Sequence, residues 1–168
     1  MNRRALLVSL GGLSVLALGV VGAARAAPGA APTLEFSIIH ATRSDAGTSI
    51  DPALKDLPQL TREQPFVRYN VYRLLDRKAF PFEMQDGSAA SKPLTMPLPN
   101  GRTLMVILES VSVEKNEKRY QLQAQISEPG KQAYLKDLHV TASAGEPFFV
   151  GGQSFRGGVL FLELLIKP

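Results

Sequence analysis

The chain has 168 residues with no cysteine, nineteen basic against fifteen acidic residues, and a formal net charge of +4. Without cysteine there is no disulfide staple and no lipid-modified cysteine, so stability has to come from buried apolar surface. Three of the basic residues, Arg3, Arg4 and Arg25, lie in a leader; without them sixteen face fifteen, a net charge near +1. No run of lysine and arginine interleaved with aromatics remains, so nucleic acid is not an expected partner.

Arg3-Arg4 followed by the apolar stretch Ala5 to Gly22 and the small-x-small pattern Ala24-Arg25-Ala26 has the layout of a secretory signal. Glycine-rich and ending in a cleavage pattern, it fits a signal peptide over residues 1–26 better than a membrane anchor. Asn2-Arg3-Arg4-Ala5-Leu6-Leu7 is similar to a twin-arginine address, and it equally serves as the positive start of the general export route. A periplasmic or secreted location follows, with no stable membrane insertion after cleavage. Ala27 to Pro32 is a flexible lead-in, and residues 33–168 have the size of one domain.

In the mature part, Leu34, Phe36 and Ile38 alternate with Glu35 and Ser37, which predicts a half-buried strand over Thr33 to Ala41. Asp51-Pro52 sets a capping residue before a proline at the first helical position; with Leu54, Leu57 and Leu60 on one side, this predicts a short helix near 51–58. Pro65 to Tyr72, rich in aromatic and β-branched residues, reads as the next strand. Leu74 to Lys78 is ambiguous. Phe80 to Met84 carries Pro81 and therefore suits a sheet edge, and Asp86-Gly87 marks a loop.

The alternating runs Leu94, Met96, Leu98 and Leu104, Val106, Leu108 flank Asn100-Gly101, which predicts a hairpin whose first strand, holding Pro97 and Pro99, lies at an edge. Val111 and Val113 carry the outgoing strand to a charged tip, Glu114 to Lys118. Tyr120, Leu122, Ala124 and Ile126 return facing inward, with Arg119 and glutamines outward. Glu128 to Lys131 turns the chain, Ala133 to Leu135 and Leu138 to Ala142 add one or two strands, and Pro93 to Pro168 reads as a meander.

The chain ends in a second hairpin, in which Pro147 to Val150 stops at Gly151-Gly152 and Val159 to Ile166 returns. Leucine-rich as it is, Val159 to Ile166 is short, has glycines before it and Pro168 after it, and lacks a cap, so a strand buried on both faces is expected. The sum is an antiparallel β-sandwich or partly closed barrel of about eight strands with one short helix.

Chemistry-bearing patterns are few. His40 and His139 are the only histidines and read as strand residues, so no metal site or cofactor is expected. Gly152-Gln153-Ser154-Phe155-Arg156-Gly157 departs from a nucleophile elbow, because its second glycine comes one position late and no helix follows. With no catalytic constellation, an enzyme is not expected. Glu163, the lone charge within Val159 to Ile166, has to reach the rim, line a cavity or pair with an arginine such as Arg68 or Arg73. Phe155 and Arg156, an aromatic and an arginine at a hairpin tip, form a candidate interaction surface, unless Phe155 folds back as a plug. Tyr69, Tyr72, Phe82 and Glu163 would line a pocket between the sheets if the chain carried a small ligand or glycan.

Residues 145–168, Gly-Glu-Pro, an apolar triplet, Gly-Gly, a loop and an apolar final strand, resemble the strands near the end of bacterial secretin pores, although the long ring-forming core of those proteins has no room here. The whole layout is similar to small exported bacterial β-domain proteins of unassigned function. This resemblance implies a compartment and no chemistry. The expectation that results is a protein-binding or accessory module of the bacterial cell envelope, with another envelope protein as partner.

Overall fold

A computed structural model describes residues 31–85, 89–130 and 135–168. Among these the chain forms nine strands: β1 (Thr33–Thr42), β2 (Ser49–Ile50), β3 (Val71–Pro81), β4 (Leu94–Pro97), β5 (Thr103–Glu114), β6 (Glu117–Ser127), β7 (Leu135–Ser143), β8 (Phe148–Phe155) and β9 (Gly158–Lys167). They make a five-stranded sheet, β2-β3-β1-β9-β8, and a four-stranded sheet, β4-β5-β6-β7. All pairings are antiparallel except the two-residue contact of β2 with β3. The two sheets pack face to face without closing into a barrel, and the expected mainly β, antiparallel sandwich is what forms.

The alternation of apolar residues decides the inner layer. Leu34, Phe36 and Ile38 of β1 and Leu160, Leu162, Leu164 and Ile166 of β9 meet Leu104, Val106 and Leu108 of β5 and Tyr120, Leu122, Ala124 and Ile126 of β6. Successive side chains of a strand point to opposite faces, so the other residues of β1 and β9 are driven outward. There Ile39, Ala41 and Phe161 are covered by the segment between β2 and β3, through Leu54, Leu57, Leu60 and Phe66. β9 is therefore buried on both faces, as its sequence demands, with the second sheet on one side and this cover on the other.

The cover is built from single turns. Asp51 caps a 3-10 turn at Pro52–Leu54, its carboxylate accepting the amide of Ala53 at 3.0 Å, and a one-turn helix, α1 (Gln59–Arg62), follows. The strand expected from Pro65 to Tyr72 does not form there. A cis Gln64–Pro65 bond leads into a 3-10 turn at Phe66–Arg68, Phe66 is spent on the outer core, and β3 begins only at Val71. The ambiguous stretch Leu74 to Lys78 is the body of β3. Asp86 and Gly87 lie outside the described residues, as do Ala133 and Tyr134.

Three further readings are corrected. The Asn100-Gly101 hairpin forms with β4 at the sheet edge, but its connection spans residues 98–102 rather than a two-residue turn. The meander stops after β7, and the final hairpin joins the other sheet. The strand does not stop at Gly151-Gly152: β8 runs on to Phe155 through a bulge at Gly152, and the reversal is made by Arg156-Gly157, both with positive φ.

Candidate functional site

The outer face of the five-stranded sheet carries the unusual chemistry. Because Leu162 and Leu164 face the inner core, Glu163 between them must face outward from the middle of the sheet. The register aligns Arg77 of β3 with Ser37 of β1, and Ser37 with Glu163 of β9, so the three lie in a row across adjacent strands. Arg77 Nε donates to Ser37 Oγ at 3.0 Å and its Nη2 donates to the Ala53 carbonyl at 3.3 Å. Nη2 stands 3.8 Å from Glu163 Oε2 and Nε 3.8 Å from Glu35 Oε1, distances of ion pairs rather than hydrogen bonds. Lys167 Nζ also bonds Glu35. Glu163 is 4% exposed, and its Oε2 has no hydrogen-bond partner among the described residues.

Two openings lie along the margin of the cover, the first over this row and the second beside β8. One, about 230 Å³, is lined by Glu35, Asp56, Arg77 and Glu163 together with apolar Leu57 and Leu165. The other, about 350 Å³, is lined by Pro65, Phe66, Phe149, Phe161 and the bare backbone of Gly151 and Gly152. Phe66 meets Phe149 and Phe161 edge-on at centroid distances of 4.8 and 4.7 Å. Gly151 is obligatory here, since a Cβ would come within 2.4 Å of the Phe161 ring. β8 is the edge strand of its sheet. A third opening, about 180 Å³, lies where β3 and β4 face each other and is lined by Phe80 and Met96 among others.

No protein-family model, curated protein or solved structure matches this chain.

The residues singled out from the sequence are distributed as follows. Phe155 is half-buried against the inner core, with its ring edge-on to His40 at 5.2 Å, and Arg156 lies over that ring at 5.1 Å. The aromatic folds back over the hairpin, leaving Arg156 as the exposed part of the tip. The Phe155 carbonyl takes a hydrogen bond from His40 Nε2 at 3.1 Å, so this nitrogen carries the proton. His139 is far from it in the topology, on β7 of the other sheet, paired with Glu109 at 3.1 Å. Among the described residues no three His, Asp or Glu side chains are grouped to hold a metal.

The four residues of the expected pocket are not brought together. Phe82 belongs to the inner core, while Tyr69 and Tyr72 sit in the outer one beneath the cover. Tyr72 donates its hydroxyl to the Phe66 carbonyl at 2.5 Å, and burial, with Tyr69 nearby, pushes its pKa up to about 12. Glu163 lines a cleft, but its arginine is Arg77 rather than Arg68 or Arg73. The signals that could have found this cleft are the outward parity shared by Glu35, Ser37 and Glu163; the one missing from the sequence is the register that adds Arg77.

Proposed function

We propose that this chain is an exported β-sandwich module that binds another protein of the bacterial cell envelope, and that β8 is the contact. The observation that carries the reading is an edge strand bordered by an aromatic groove. Phe66, Phe149 and Phe161 frame about 350 Å³ beside the exposed backbone of Gly151-Gly152. An extended segment laid along such an edge gains main-chain hydrogen bonds from the strand and specificity from the groove. The leader over residues 1–26 supports the compartment. Among the described residues no helix is long and apolar enough to cross a membrane.

Site-specific photocrosslinking in the native host tests the proposal. A crosslinker at Ser154, exposed on β8, is expected to trap one discrete protein adduct, and the same group at Thr141 on β7 of the other sheet is not. No adduct at Ser154, or the same adducts at both positions, overturns it.

A further inference from the structure

We infer that the cleft above Glu163 is a binding site for an alkylammonium group, either a lysine side chain or a free alkyl amine. This goes beyond the proposal for β8 and does not depend on it.

The charge of the cleft favours a cation. The cleft is walled by the carboxylates of Glu35, Asp56 and Glu163 and the guanidinium of Arg77, and Lys167 bonds Glu35 from outside it, so three carboxylates face two cations and one negative charge is left over. Arg77 does not neutralise it by direct bonding, because its Nε and Nη2 donate to Ser37 and Ala53 and it stays 3.8 Å from Glu163 Oε2. Glu163 is 4% exposed, and its Oε2 has the ion pair with Arg77 at 3.8 Å and no hydrogen bond among the described residues. A buried acceptor without a donor is costly, and a charged one more so, which makes the site a trap for a cationic donor.

Shape narrows the ligand. The cleft, about 230 Å³, has room for a group larger than a single water. Leu57, Pro147 and Leu165 supply an apolar wall. A compact ammonium head with three donors on a methylene stem matches a carboxylate floor and a greasy wall together. An anion would have to share Arg77 with carboxylates already facing it. A metal ion would need a group of His, Asp or Glu ligands that the described residues do not assemble.

The test is amide chemical-shift titration of the purified protein with n-butylammonium, and with butyrate as the opposite charge. We expect saturable shifts centred on Ala53, Glu163 and Leu165 with butylammonium and none there with butyrate. Glu163→Gln should weaken the affinity about tenfold or more, the scale of one charge-assisted hydrogen bond. Should that variant not fold, Asp56→Lys, a change at an exposed rim residue, should still reduce binding several-fold while leaving the fold intact. A blocked lysine peptide titrated alongside distinguishes the source. Binding of both probes assigns the site to a protein side chain, and binding of butylammonium alone assigns it to a small amine. Non-saturating shifts, equal binding of butyrate, or butylammonium affinity unchanged in both variants overturns the inference and leaves the β8 proposal standing.

Discussion

Arg77 joins three separate parts of the chain, with Ser37 on β1, Ala53 in the cover and Glu163 on β9 all within reach of one guanidinium. Glu163 is buried while Arg77 is partly exposed, so removing the arginine leaves a buried carboxylate without its counter-charge, which is more damaging than replacing both by apolar groups. Arg77→Ala is expected to cost about 2–3 kcal/mol in urea unfolding, and the double change Arg77→Ala with Glu163→Leu to recover much of the loss. A neutral single variant would remove the pair from the stability argument. At Tyr72 the phenol is held neutral by burial, its pKa being raised to about 12 from 10.0. The folded state therefore keeps its proton where the unfolded chain gives it up. That stability is intact below pH 10 and is lost as pH rises from 10 through 12. Tyr120 is shifted upward for the same reason, burial. Absorbance titration of the four tyrosines should show two ionising late and together with loss of structure, and Tyr72→Phe should remove part of that alkaline loss. Glu163's need of a partner was legible, since a charge inside an apolar strand has few options. The partner's identity was not. Arg68 falls in a 3-10 turn and Arg73 stands opposite His40 on the other face of the sheet, whereas Arg77 is placed by a bulge that shifts β3 against β1 between Ile38 and Ile39.

β9 shows how an element enforces an architecture. It lies between β1 and β8 with its even positions in one core and Val159 and Phe161 in the other. Truncation on the inner side, Leu162→Ala, is expected to cost about 3 kcal/mol by denaturant titration, the cost of a cavity that close packing cannot refill. The start of the strand is more sensitive still, because a Cβ on Gly158 would stand 2.3 Å from the Ala41 carbonyl oxygen. The β5–β6 turn offers the opposite case. Lys115 and Asn116 both have positive φ, at 51° and 66°, where Asn-Gly is preferred. Replacing Lys115-Asn116 by Asn-Gly should raise stability by about 0.5–1 kcal/mol, and an unchanged or lower midpoint would refute the turn assignment. The sequence marked this tip only by charge, since neither residue advertises a left-handed backbone. Conversely, a glycine pair after an apolar run reads as the end of a strand, yet β8 continues through Gly151-Gly152. Here one glycine makes room for Phe161 and the next forms a bulge, needs that only a neighbouring strand creates.

For the molecule as a whole, the sandwich and its cover differ in how they are held. β1 and β9 are paired on both sides and buried on both faces, whereas the segment between β2 and β3 consists of single turns anchored by Leu54, Leu57, Leu60 and Phe66. Native-state hydrogen exchange should release the amides of residues 52–69 well before those of β1 and β9. Equal protection would mean that cover and sheet open as one unit. Loosening of that segment would also widen both openings along its margin, which ties the proposed binding surfaces to the least stable part of the chain. What the sequence determined by itself was local: period-two alternation names the strands of the inner core, the lack of cysteine requires a packed interior, and a doubly apolar β9 demands cover on two sides. Tertiary structure alone decided which segment provides the outer cover and which residues share the outer face. Those depend on pairings between distant parts of the chain, such as Ser37 with Glu163, and the register of such a pairing follows from the total packing of both layers rather than from any short pattern.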